Sequence, residues 1–196
     1  MRRMALISCL VLMPVGWALS DHGMTGHMAG HMIAVAVAAP LLALATTGNH
    51  ADPAQRWPRV ITPMKMMLLD LLTVWGWHLP TLRAAADASS VLAALEHLSF
   101  LAAGFLLWSA ALHSPARVSG IGALLLTSMH MTLLGVLIGL APRPLYHGMH
   151  HSGELDPLAD QQLGGVVMLV VGGISYMVGG LALLGALLRG ERSASA

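Results

Sequence analysis

Histidine and methionine are unusually common in this chain, with 11 and 14 copies, whereas cysteine occurs once, at Cys9. One cysteine cannot form a disulfide within the chain, so any metal chemistry must use imidazole, thioether and carboxylate groups. Thioethers are soft ligands that favour Cu(I), while imidazole binds copper, zinc and iron alike. The composition therefore indicates metal handling, and copper suits both kinds of ligand.

The densest group of these residues runs from His22 to Met32, where histidines alternate with methionines and glycines. His27 and His31 are four residues apart, so a helix presents them on one face, with Met24 and Met28 close to that face. Two imidazoles with nearby thioethers suit Cu(I) or Cu(II). The alternative is a solvated segment whose histidines anchor the chain at the membrane surface.

Two further histidines end or interrupt apolar stretches. His78 closes the second stretch before Pro80 stops the helix, so it is either a ligand or a residue of the interfacial belt. His97 follows Glu96 about 9 Å inside the third stretch, at 1.5 Å per residue. A Glu-His pair at that depth is costly unless it is satisfied by a structural hydrogen bond or has a function.

The last apolar stretch contributes a carboxylate and a thioether. Asp160, Gly164, Met168 and Gly172 share one helix face at successive i+4 spacings. Asp160 is also a favoured residue for capping the N-terminus of that helix, and Met168 is also suited to filling the core. The predicted metal ligands are His27, Met28, His31, His78, His97, Asp160 and Met168.

Other polar residues have open roles. Asp70 and His130 lie near the middle of their stretches, where Asp70 would tune the cluster or relay a proton and His130 would be a ligand or a satisfied core histidine. His147, His150 and His151 fall in the last outer loop, as a weak capture site or as solvated residues.

Composition places these side chains in a membrane. The chain is 56% hydrophobic and 10% charged, against about 25% charged in a soluble domain. We expect an all-α, polytopic transmembrane helix bundle over residues 21–190, after a signal peptide or signal anchor at 1–20 and before a disordered tail at 191–196. The five expected spans are 28–46, 63–79, 91–113, 118–141 and 161–188.

Loop charges predict the orientation of the bundle. Arg56, Arg59 and Lys65 lie around the first connection, Arg117 in the third, and Arg189 near the end, so these loops face the cytoplasm. Most of the predicted ligands then fall at the outer face although successive spans run in opposite directions. The net charge of +1 gives no reason to expect a nucleic-acid partner.

Several motifs resemble the CtaG family of multi-pass cytochrome c oxidase assembly factors. The similar segments are His27-Met28-x-x-His31-Met32 with Ala39-Pro40, Trp77-His78-Leu79-Pro80, Glu96-His97-Leu98-Ser99-Phe100 with Trp108, Leu145-Tyr146, and Asp160-Gln161-Gln162-Leu163-Gly164-Gly165 with Met168. The chain departs from the family in having fewer spans, and in His147, which stands where the family has proline.

The resemblance implies a non-catalytic factor in the bacterial plasma (inner) membrane that matures the oxidase by supplying copper, with its metal site facing the periplasm or outside. Its partners would be an oxidase subunit or other copper-handling assembly proteins, and a homo-oligomer is possible. One alternative is a redox protein with haem b between His97 and His130, against which no Arg or Lys is expected in the core. Another is a copper permease, with His113 as the cytoplasmic ligand. No nucleophile motif suggests a hydrolase.

Overall fold

The computed structural model describes residues 2–20, 22–113, 117–146 and 155–194. Within these ranges the regular structure is entirely helical, which confirms the prediction of a polytopic helix bundle. The α-helices are α1 (Arg2–Leu19), α2 (Gly23–Met32), α3 (Ala39–Thr46), α4 (Pro53–Arg56), α5 (Pro63–Trp77), α6 (Pro80–Asp87), α7 (Ser90–His113), α8 (Arg117–Gly139), α9 (Pro157–Val167) and α10 (Gly173–Ala194).

Four continuous helical stretches among the described residues are long and apolar enough to cross a membrane. They are Gly23–Thr46, Ser90–His113, Arg117–Gly139 and Pro157–Gly190. Their outward surfaces carry exposed leucines, for example Leu98 on α7 and Leu133 on α8. Exposed apolar side chains in such numbers are expected where helices face lipid.

Two of the expected apolar segments form helices shorter than these four. The expected span 63–79 is observed as α5, whose 15 residues extend about 22 Å, against a hydrocarbon core of about 30 Å. The expected signal segment is observed as α1, an apolar helix that contacts α2 and α3. At the other end, α10 continues to Ala194 and so enters the expected tail.

Two π-helical segments interrupt the spans that carry the predicted ligands. Ile33–Ala38 joins α2 to α3, and Met168–Gly172 joins α9 to α10. Two side chains of α10 donate hydrogen bonds to carbonyl oxygens of the first segment. Tyr176 Oη donates to Val35 O at 3.2 Å, and Ser175 Oγ donates to Ala36 O at 3.0 Å. The two hydrogen bonds fix the helix just below His31, and π-helical turns often occur next to functional sites.

Methionines supply much of the core on the outer half of the bundle. Met24, Met28 and Met32 form a buried stripe at i+4 spacing along α2. They belong to the same hydrophobic cluster as Met131 of α8 and Met168. The α2 histidines are therefore embedded beside thioethers instead of facing solvent.

Candidate metal centre

Three buried side chains from two helices bring their metal-ligating atoms together at the end of the bundle where α2 and α7 begin. His27 and His31 of α2 and Glu96 of α7 each offer an atom such that all three lie within 4.8 Å of one another. The i+4 spacing places both imidazoles on the face of α2 that packs in the bundle, with ring centroids 3.9 Å apart. Two nitrogens and a carboxylate at this separation form a suitable ligand set for a divalent or monovalent transition metal.

Glu96 uses its two oxygens in different directions. Oε1 lies 3.4 Å from His27 Nε2 and 3.5 Å from His31 Nε2, while Oε2 accepts a 2.5 Å hydrogen bond from Arg83 Nη1. The side chain of Glu96 is completely buried. A carboxylate buried at this depth requires a positive partner, and the Arg83 guanidinium supplies it on the Oε2 side.

His78 adds an imidazole and a thioether contact to this group. Its Nδ1–H donates to Val74 O at 2.6 Å, so in the neutral ring Nε2 carries the lone pair, and Nε2 lies 3.4 Å from Met28 Sδ. Thioether sulfur has no proton, so two lone pairs face each other. A tetrahedral metal with nitrogen at about 2.0 Å and sulfur at about 2.3 Å would hold these atoms about 3.5 Å apart.

The segment after α8 holds the backbone of His78 in place. Tyr146 Oη donates to the carbonyl oxygen of His78 at 3.0 Å. Burial raises the pKa of the Tyr146 phenol to about 12, so the group remains a neutral hydrogen-bond donor at physiological pH. The ring of His78 is thus anchored from its own helix and from the 141–146 segment.

His97 lies beside the cluster, one helical position after Glu96. Its ring centroid is 5.6 Å from that of His31, and its Nδ1–H donates to Ala93 O at 2.9 Å. The other nitrogen, Nε2, lies 2.9 Å from Ser20 Oγ, which follows α1. His97 is therefore next to the metal-ligating atoms and is held there by the N-terminal part of the chain.

Arg83 of α6 inserts a guanidinium into the cluster, contrary to the expectation that no Arg or Lys lies in the core. Its Nη1 lies 2.7 Å from His27 Nε2 and also contacts Glu96, while Nη2 bonds Asp87 one turn along α6. Only 5% of Arg83 is exposed. Arg83 can be buried because two carboxylates, Glu96 and Asp87, offset the cost of removing its charge from water.

A small cavity lies on the outer side of Arg83. It has a volume of about 100 Å³ and is lined by Pro80, Arg83, Ala84, Asp87, Leu145 and Tyr146. The cavity thus separates α6 from the 141–146 segment and reaches the guanidinium that contacts His27.

Comparison with protein-family models identifies the family of the chain. Residues 4–190 match the family model described as cytochrome c oxidase caa3 assembly factor (Caa3_CtaG). The chain belongs to this family. No curated protein and no solved structure matches the chain significantly.

The motifs that resemble the caa3 assembly factor family are joined directly in the structure. Trp77 Nε1 donates to Ser99 Oγ at 2.8 Å, and Ser99 Oγ donates to Glu96 O at 2.8 Å. The Trp-His-Leu-Pro segment of α5 is therefore connected to the Glu-His-Leu-Ser segment of α7. This connection aligns His78 with Glu96 and His97.

Asp160, a predicted ligand, contacts the backbone of α2. Its carboxylate accepts hydrogen bonds from Met24 N at 2.7 Å and Thr25 N at 3.0 Å, which caps the helix that carries His27 and His31. The expectation that Asp160 caps its own helix is wrong, because Asp156 is the N-cap of α9 and accepts from Leu158 N.

Met168, the other predicted ligand of the last span, is fully buried at the start of the second π-helical segment. It packs in the cluster of methionines that includes Met28. Its position in the core is established by this burial. Its role as a ligand stays a prediction.

Asp70 and His130 form a separate buried pair. Asp70 Oδ2 lies 3.6 Å from His130 Nε2, and neither side chain has a hydrogen bond among the described residues. Asp70 is two turns, about 12 Å, from His78 along α5. The structure thus groups His97 with the α2 histidines and His130 with Asp70.

Sequence reasoning missed three contributors to the cluster: Arg83, Ser20 and Trp17. The expected spans leave Arg83 in the connection between 63–79 and 91–113, although its i+4 spacing to Asp87 after Pro80 indicates a short helix with an internal ion pair. Ser20 and Trp17 were assigned to the signal segment and carried no local sign of a contact with His97. The residues His147, His150 and His151 lie outside the described residues.

Proposed function

We propose that this protein binds copper at the outer face of the membrane and assists the maturation of the copper centre of a caa3-type cytochrome c oxidase. The observation that carries the proposal is the convergence of His27, His31 and Glu96 within 4.8 Å in a member of an oxidase assembly family. His78 and Met28 extend this set of ligands, and His97 lies beside them with its ring nitrogens within hydrogen-bond distance of Ala93 O and Ser20 Oγ.

The donor atoms favour copper over zinc or iron, and Cu(I) over Cu(II). Met28 Sδ beside His78 Nε2 is a soft donor paired with a borderline one, a combination that suits Cu(I). The charged groups at the cluster are one guanidinium, Arg83, and two carboxylates, Glu96 and Asp87, which sum to −1. A monovalent cation brings the net charge of the cluster to zero, whereas a divalent cation leaves a net positive charge buried there.

The site suits transfer of copper better than catalysis. The ligands lie at the outer ends of their helices, below the small cavity beside Arg83. A metal held there can pass to a partner at the outer surface without crossing the bundle. We propose an oxidase subunit or another copper-handling assembly protein as that partner.

The first test is elemental analysis of the detergent-purified protein after anaerobic loading with Cu(I). We expect about one copper per chain and no iron. Iron near one per chain would replace the proposal with a haem protein. Absence of both metals would leave an assembly factor without a metal site.

The second test uses the α2 histidines. The double variant His27→Ala with His31→Ala should lose copper while the helical content by circular dichroism stays the same. His50→Ala is the matched control, because His50 is exposed and far along the chain from the cluster. Full copper in the double variant would show that the cluster is not the site.

The third test concerns the oxidase. The caa3-type oxidase purified from cells that lack this protein should contain less copper than the oxidase from normal cells, at equal haem content. Complementation with the wild-type protein should restore the copper, and complementation with the double histidine variant should not. Equal copper in all three preparations would contradict a role in copper-centre maturation.

A further inference from the structure

We propose that α1 stays in the mature protein as a wall of the metal centre, and that residues 1–20 are a signal anchor instead of a removed signal peptide. The part of this inference that concerns copper rests on the proposed function, whereas the retention of α1 does not. The contacts of α1 with α2 and α7 carry it.

The glycines of the His-Met motif are placed for contact with α1. Gly26 and Gly30 each precede one of the α2 histidines, and both face α1. A methyl group at Gly26 would overlap the carbonyl oxygen of Leu19. A methyl group at Gly30 would overlap the carbonyl oxygen of Gly16 and lie 2.6 Å from Ser20 Oγ.

This close approach explains why the motif contains glycine at these positions. Glycine lowers the stability of a helix interior relative to alanine, so its presence requires a compensating contact. Small residues four apart let two helix backbones approach closely within a membrane. If α1 were removed, Gly26 and Gly30 would still lower the stability of α2, and they would no longer contact the α1 backbone.

Two side chains at the end of α1 hold His97. Ser20 Oγ lies 2.9 Å from His97 Nε2, and the Trp17 ring centroid lies 4.8 Å from that of His97. Removal of α1 would therefore expose the histidine on the side that now faces α1. Ser20 and Trp17 are positioning residues for His97, because both contact its ring.

The family comparison is consistent with a retained α1. The match to the caa3 assembly factor family begins at residue 4, so it includes almost all of α1. The basic residue Arg3 lies in the first turn of α1, and the other end of α1 lies beside the cluster. This is the orientation of a signal anchor that crosses the membrane once.

The direct experiment is intact mass spectrometry of the full-length protein purified from bacterial membranes. We expect a mass that includes α1. A mass that corresponds to a chain beginning near residue 21 would overturn the inference. This readout does not depend on copper, so the copper proposal and the retention of α1 can fail separately.

A pair of glycine substitutions tests the contact itself. Gly122→Ala in α8 is the control, because a methyl group there has nothing within 4 Å, and alanine is the better helix former. We expect Gly122→Ala to keep or raise Tm and Gly30→Ala to lower it, both measured without metal. An equal rise in Tm for the two variants would show that α1 does not pack against Gly30.

Discussion

Arg83 occupies the position where a cation would bind the α2 histidines. Its Nη1 is 2.7 Å from His27 Nε2 and 2.5 Å from Glu96 Oε2. A nitrogen that accepts a hydrogen bond cannot give the same lone pair to a metal. Under the proposed function, Arg83 and copper therefore compete for His27, and the guanidinium stabilises the metal-free state.

Replacement of Arg83 by glutamine tests this competition. We expect Arg83→Gln to destabilise the metal-free protein by about 3–5 kcal/mol, because Glu96 loses its buried counter-ion. Addition of Cu(I) should then raise Tm more than it does in the wild type. The measurement is Tm with and without Cu(I), by intrinsic fluorescence in detergent.

Arg143→Gln is the control for Arg83→Gln, since Arg143 is exposed in the same outer region. Its Tm should match that of the wild type in both conditions. A smaller copper-induced rise in Tm for Arg83→Gln than for the control would contradict competition. Arg83 would then support the bound metal.

The N-terminus of α2 depends on a carboxylate from another helix. His22, which precedes α2, makes no side-chain cap, and Asp160 of α9 accepts from Met24 N and Thr25 N in its place. Thr25 Oγ1 also donates to Asp160 O at 3.0 Å. These contacts hold the start of α2 against α9, so the packing of α9 determines where His27 and His31 lie along the bundle axis.

Two substitutions at Asp160 separate capping from metal binding. Asp160→Asn keeps an oxygen that accepts from the backbone and loses the charge, so it should retain copper. Asp160→Ala should lower stability by about 0.5–2 kcal/mol through loss of the cap. Copper content and Tm of both variants are the measurements.

Asp156→Ala, which removes the exposed cap of α9, serves as the comparison for Asp160→Ala. It should lower Tm without a change in copper affinity, because Asp156 does not contact α2 in the described residues. If Asp160→Asn loses copper to the same extent as the double histidine variant, Asp160 is a ligand and not only a cap.

The bundle as a whole is asymmetric across the membrane. The cluster of His27, His31, His78 and Glu96 lies where α2 begins, α5 ends and α7 begins. The opposite end carries an ion pair of another kind, with His113 Nδ1 3.3 Å from Asp52 Oδ2. With the cationic loops in the cytoplasm, as the loop charges predict, the proposed metal site would face outward.

The outward orientation predicts which side of the membrane exchanges copper. A Cu(I) chelator that cannot cross the bilayer should remove copper from right-side-out vesicles and leave it in inverted vesicles. The measurement is the copper content of the protein purified from each preparation after equal exposure. Loss of copper from inverted vesicles alone would place the site on the cytoplasmic side.

The sequence alone determined the features that depend on neighbours along the chain. Apolar stretches defined the helices because backbone groups in lipid must be satisfied within each span. The i+4 spacing of His27 and His31 placed both rings on one face because helical geometry is local. The Glu96-His97 pair indicated a site because ionisable side chains are costly to bury within an apolar span.

Only the tertiary structure decided which distant groups meet. Asp160 reaches Met24 across 136 residues and Ser20 reaches His97 across 77, and no local pattern encodes either separation. Arg83 is buried only because α6 folds over Glu96 and supplies Asp87 as a second carboxylate. Such contacts depend on helix packing, which sums many weak interactions from residues far apart in the chain.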